Sequence, residues 1–269
     1  MFGAVTRDSP EWVYSDQPHS TRRGLMLAKY PLIKKYMCAD PHFKYVVGAM
    51  VAMQVVMCFL LQDSSWLTVT IWAYLFGGTI NHSLTLAIHD ICHNTAFGNG
   101  KNAKYNRYFG FVANLPIGLP YSVTFKKYHI DHHRYLAGNE LDTDLPTEWE
   151  GRFFCNAPLK LLWLVLNPAF YAFRPMVVRP KKPTAYELQN VMFQIMFNIW
   201  IYNSFGAKGI GHLLIGSGLG KYLIFKLYIY LTYLSAWRAS NGGPFHRRAL
   251  YVLQGARYNL FFLIFTKRN

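Results

Sequence analysis

Residues 45–93 read YVVGAMVAMQVVMCFLLQDSSWLTVTIWAYLFGGTINHSLTLAIHDICH, and the way this stretch divides decides the fold. Residues 45–61 are almost wholly apolar, Gln62-Asp63-Ser64-Ser65 is a tight polar turn, and residues 66–88 are mostly apolar again. A bilayer-crossing helix needs about 20 such residues. The stretch therefore predicts a helical hairpin whose short turn faces the far side of a membrane. Its second helix returns to the near side carrying His89 and His93, whose i, i+4 spacing puts both imidazoles on one helix face.

Composition points the same way. Only 15% of the 269 residues are charged, while 52% are hydrophobic and 17% aromatic; an ordinary soluble domain carries about 25% charge. The expected fold is all-α, a polytopic membrane protein of helical hairpins with a cytosolic histidine-box metal site. A net charge of +15 raises nucleic acid as a partner, but Lys and Arg flank the apolar segments, which fits anionic headgroups and cytosolic loops instead. No nucleic-acid partner is expected. Cys38, Cys58, Cys92 and Cys155 have neither disulfide-type nor metal-type spacing. Residues 1–30 have no apolar core, so no cleavable signal peptide is expected, and Phe2 excludes N-myristoylation.

The expected organisation is a cytosolic N-terminal segment (1–44), a membrane domain (45–220) and an aberrant tail (221–269). Residues 94–156 hold no span. Within them, 108–121 are apolar but broken by Pro116 and Pro120, and are expected to lie in the interface plane. Residues 159–173 carry Pro168 and are too short to span, so an interfacial helix is expected, followed by a basic connector over 174–182. Residues 188–205 and 209–220 begin a second hairpin. Since nothing crosses the membrane between His93 and residue 129, what lies at both points shares one face.

That matters because of the second cluster, His129-Ile130-Asp131-His132-His133. Its i, i+3, i+4 spacing again gathers imidazoles on one helix face. Imidazole is the commonest protein ligand for iron and zinc. Zinc hydrolases pair their histidines with a general-base Glu, which neither box has. Five clustered histidines exceed one tetrahedral zinc and suit a pair of irons that activates oxygen against a lipid methylene. His82, on the same helix face as His89, either extends the site or packs between helices. Asp90 and Asp131 either accept a hydrogen bond from a ligand imidazole or are solvated carboxylates. Asp142 and Asp144 read as loop charges, and His19, His42, His212 and His246 as isolated non-ligands.

The boxes resemble the first two of the three histidine boxes of membrane fatty-acyl desaturases. The wording around them is similar to sphingolipid delta-4 desaturases: Glu11-Trp12-Val13-Tyr14-Ser15-Asp16-Gln17-Pro18-His19, then Asn81-His82-Ser83-Leu84-Thr85-Leu86-Ala87-Ile88, then Phe125-Lys126-Lys127-Tyr128, with Arg134-Tyr135-Leu136 after box two. The resemblance covers residues 11 to about 220. It implies an endoplasmic-reticulum enzyme converting dihydroceramide to ceramide with two irons, O2, and electrons from cytochrome b5 and its NAD(P)H-linked reductase. It also implies that His89, His93, His129, His132 and His133 are iron ligands. The family's myristoylated glycine after the initiator methionine is replaced by Phe2.

Beyond Gly220 the pattern departs. The family carries further ligand histidines and a third His-x-x-His-His box there, whereas residues 221–269 hold one histidine, His246, and no Asp or Glu. Pro244-Phe245-His246-Arg247-Arg248-Ala249-Leu250-Tyr251-Val252-Leu253 is what the family's Gly-His-Phe-Ile-Ala-Glu-His-Tyr-Met-Phe segment yields in a shifted frame. Gly220-Lys221-Tyr222 is encodable with a splice-donor-like GUAAGU. A retained intron followed by an out-of-frame exon accounts for both. Five histidines, even with His82 and water, are too few for two irons, so this form is expected to be inactive. The alternatives are a non-catalytic membrane isoform pairing with the intact enzyme, and a sphingolipid C4-hydroxylase, which begins with the same hydrogen abstraction.

Overall fold

The polar turn at residues 62–65 does reverse the chain. The structure is a computed structural model describing residues 19–135 and 141–240, and among these every regular element is helical. Helix α1 (His19–Lys29) precedes α2 (Phe43–Leu61), and Ser65 caps α3 (Trp66–Trp72), its Oγ accepting the Thr68 amide at 3.2 Å. A π turn over Ala73–Gly77 runs straight into α4 (Gly78–Cys92), making one returning limb. Val47 and Met50 of α2 are buried with Leu84, Ala87 and Ile88 of α4. The first expected hairpin is present.

The second forms as well. Helix α9 (Ala185–Ser240) is broken at Gly206, whose φ of 67° and ψ of −167° are open to glycine at little cost. The chain doubles back there, since a Cβ on Gly209 would lie 3.6 Å from Ile201. The returning arm closes on α4 through small residues: a Cβ on Gly78 would come within 2.5 Å of the Gly220 Cα. Helices without a hydrophobic drive between them use such small-residue contacts.

Residues 108–121 depart from the interfacial expectation. They belong to α5 (Ala103–Asn114), a 3-10 turn at Leu115–Ile117 and the lead into α6 (Ser122–Arg134). The turn reaches into the bundle, and Pro116 and Ile117 are buried. It is tolerated because four successive carbonyls each receive a side-chain donor. Gln194 bonds Leu115 at 3.0 Å, Asn81 bonds Pro116 at 3.1 Å, Ser217 bonds Ile117 at 2.8 Å and Asn198 bonds Gly118 at 3.1 Å. Buried carbonyls left bare would each cost free energy.

The segment 159–173 is also longer than expected. Helix α7 (Glu148–Phe153) is followed by α8 (Ala157–Val178), and two described stretches, Phe43–Leu61 and Pro158–Val178, are long and apolar enough to cross a membrane. Arg174, read as part of a cytosolic connector, is buried inside α8. Its Nε and Nη2 each donate to Glu150 at 2.7 Å. With its charge matched there, the arginine does not end the helix.

Candidate metal centre

The last turn of α4 and the last two turns of α6 lie side by side. His93 is the C-cap residue of α4, and His129 is buried in α6. The Nε2 atoms of His93 and His129 are 3.0 Å apart, and those of His133 and His129 2.9 Å apart. The His89 ring centroid is 5.0 Å from that of His93 and 4.6 Å from that of His129. One ligand nitrogen from each of His89, His93, His129 and His133 lies within 4.8 Å of the others. Metal–imidazole bonds of about 2.1 Å place neighbouring ligand nitrogens about 3 Å apart, so the set fits a bound ion.

Protonation favours ligation. Burial, then the neighbouring imidazoles, push His129 down to about 3 and lower His93 and His133. These rings are neutral at pH 7, the form that binds metal. Phe125 stacks on His129 at 4.8 Å between centroids and shields one of its faces.

His132 does not join the four. Its Nδ1 meets the Asp142 carboxylate at 2.9 Å, with Asp144 at 3.6 Å. Asp142 is 3% exposed. Asp142 and Asp144, read as loop charges, do lie in a turn, but that turn sits against His132, and the three together are a group that could hold a metal ion. Nothing in residues 141–144 announced this, because the loop's path back to α6 is set by α7 and α8. Asp90 does bond a box histidine, His89 Nδ1, at 2.9 Å. Asp131 does not; it faces Arg179 at 3.3 Å and Lys181 at 2.5 Å. His82 is outside the four-histidine group, two helical turns from His89. His212 is buried far from the boxes, against Gln54 at 3.0 Å.

Comparison with known proteins is informative at this point. A family model described as fatty acid desaturase matches residues 64–263, and one described as sphingolipid delta4-desaturase matches residues 6–42. The chain belongs to the sphingolipid delta-4-desaturase family. A sphingolipid delta(4)-desaturase/C4-monooxygenase of Rattus norvegicus is 56% identical over 220 residues, 82% of this chain and 68% of the relative. A sphingolipid delta(4)-desaturase of Gallus gallus is 52% identical over the same shares. One of Bos taurus is 48% identical over 236 residues, 87% of this chain and 73% of the relative. No solved structure matches the chain. Membership makes the chain one of an oxidoreductase family and gives the histidine clusters a chemical setting. The tail reading concerns residues 221–269, of which the structure describes a helical backbone to Ser240; the remainder lies outside the described residues.

Proposed function

We propose that the two boxes build part of a di-iron centre for sphingolipid delta-4 desaturation, on the cytosolic face of the endoplasmic-reticulum membrane. The observation that carries this is the convergence of His89, His93, His129 and His133 from two helices. These four offer ring nitrogens to one point, and His132 offers its Nε2 while Asp142 holds its Nδ1. Asp90 holds His89 in the same way. Two irons, when bound, would supply the O2 activation that turns dihydroceramide into ceramide, with electrons from cytochrome b5 and its reductase.

The topology proposed is polytopic, with α2 and the α3–α4 limb as one hairpin and the two arms of α9 as another. The α5–α6 turn is then re-entrant, its carbonyls satisfied within protein as membrane depth requires. Helix α8 lies along the surface, because Trp163 and Arg174, three turns apart on it, reach the same Glu150 carboxylate.

In this form residues 221–269 bring only His246 where the resemblance places a third box. Five imidazoles leave one iron without its cage, so the chain is proposed not to desaturate and to act, if at all, beside an intact copy. C4-hydroxylation is the second reading for the complete site, supported by the double name of the rat relative. Expressing the chain alone in cells lacking the activity tests all three. We expect fewer than two irons per purified chain, and neither ceramide nor 4-hydroxylated product from labelled dihydroceramide. Ceramide formation would overturn the inactivity, and iron content untouched by His129→Ala would overturn the site.

A further inference from the structure

Next to the histidine faces of α4 and α6 lies a second feature. A half-open cavity of about 240 Å³ sits between α4, α5, α6 and the start of α9. Ile91, Val123 and Ile130 give it apolar walls, and Arg107, Lys126 and Lys127 give it charge. The three cations differ in what faces them. Lys127 pairs with Glu187 at 3.0 Å and donates to the Lys182 carbonyl at 2.7 Å. Lys126 donates to the Asn94 side chain at 3.2 Å, and Arg107 lies over the Tyr186 ring at 4.8 Å. Among the described residues, neither Lys126 nor Arg107 has a carboxylate in ion-pair range.

Lys126 is half-buried, and a cation partly drawn out of water is ordinarily paired, while Arg107 beside it is exposed at the cavity mouth. Here one amide oxygen and one ring face two charges. Burial, and then Arg107, pull the Lys126 ammonium below its ordinary range. The excess of two positive charges is what a phosphate group offsets, and a guanidinium beside an ammonium is a recurrent pairing for it.

We propose that this cavity is a phosphate-binding site, with Arg107 and Lys126 on the oxygens and the apolar wall against whatever the phosphate is esterified to. The phosphate comes either from a phospholipid headgroup or from solution. The site is distinct from the histidine cluster and needs no iron.

Native mass spectrometry of the purified full chain in mild detergent tests it, with phosphatidic acid, diacylglycerol and inorganic phosphate as separate probes. Wild type should retain phosphatidic acid over diacylglycerol, and Arg107→Gln with Lys126→Met should weaken that retention about 30-fold, since each basic residue contributes several-fold to anionic-lipid binding. Removing two cations elsewhere, by Arg22→Gln with Arg23→Gln, should leave retention intact, and the charge-keeping pair Arg107→Lys with Lys126→Arg should preserve it. If the double variant fails to purify, the single variants carry the same comparison. Retention of inorganic phosphate with the same variant sensitivity, without retention of phosphatidic acid, would assign the site to free phosphate. Retention of neither anion, or loss in the Arg22/Arg23 control equal to that in the cavity variant, overturns the proposal.

Discussion

Asp142 is nearly inaccessible to solvent, and its Oδ1 meets His132 Nδ1 at 2.9 Å. A carboxylate behind an imidazole fixes both the tautomer and the ring angle, and losing one typically costs about 10–100-fold in metal affinity. Asp142→Asn should therefore bind iron at least tenfold more weakly while keeping its helical circular dichroism; unchanged affinity in an iron titration would remove Asp142 from the site. Within each box the i, i+4 pair was legible from spacing, because the helical period sets where the rings point, while bringing the two boxes together rested on the absence of a span between them. His132 shows the limit of that reasoning. From His129, a step of three residues turns about 60° back around the helix and a step of four about 40° forward. His133 thus stays with His93, whereas His132 is turned toward the 141–144 loop. The loop is placed by contacts far away in sequence, which no local period encodes.

The contacts that place it run between α7 and α8. Thr147 caps α7 in a reciprocal capping box with Glu150, and the same Glu150 receives Trp163 at 2.8 Å and both Arg174 bonds. Arg174 also reaches the Thr143 and Asp144 carbonyls at 3.4 Å, so this pair braces the loop that holds His132. Burial would raise the Glu150 carboxyl, but Arg174, Trp163 and the Thr147 amide hold it down at about 2. Breaking one side of a buried pair costs about 3–5 kcal/mol, and Glu150→Gln should lower the unfolding midpoint accordingly at pH 7. Since the folded-state value is depressed from 4.5, that stabilisation is present above pH 4.5 and lost as pH falls toward 2. Wild type and variant should converge across this window in acid unfolding followed by circular dichroism; a constant gap would discount the ion pair. The α4–α9 contact makes a separate demand. Gly78→Ala pushes a methyl onto the Gly220 backbone and should destabilise by about 1–3 kcal/mol. Gly48→Ala, in α2 with open space around it, should be neutral or slightly stabilising. Equal midpoints for the two variants would mean that the close approach is not needed.

For the whole molecule, hydropathy and turn chemistry made both hairpins legible. They did not reveal the α5–α6 turn, whose burial depends on Asn81, Gln194, Asn198 and Ser217 arriving from two other helices. Helix α8 is the remaining test of the architecture, because length and hydropathy let it cross a membrane while its contacts oppose crossing. Phe154, just before α8, packs on Phe170 at 5.6 Å between centroids, so α7 folds back along the helix. Farther on, Arg179 reaches the Leu141 carbonyl at 3.3 Å and Asp131 at the same distance. A crossing helix would put residues 155 and 182 on opposite sides of the bilayer, whereas these contacts tie α8 to α7 through Glu150 and Phe154 and tie the residue after its end to Asp131 of α6. Cys155 and Lys182 are both exposed and report the two ends. In sealed microsomes, a membrane-impermeant maleimide should label Cys155 in a chain lacking Cys38, and also Lys182→Cys in a chain lacking Cys38 and Cys155. Labelling of both without detergent requires an interfacial α8, since one side of the vesicle reaches both ends. Labelling of only one, with the other appearing after permeabilisation, would make α8 a span and would place the loop bearing Asp142 on a different footing relative to the histidine cluster.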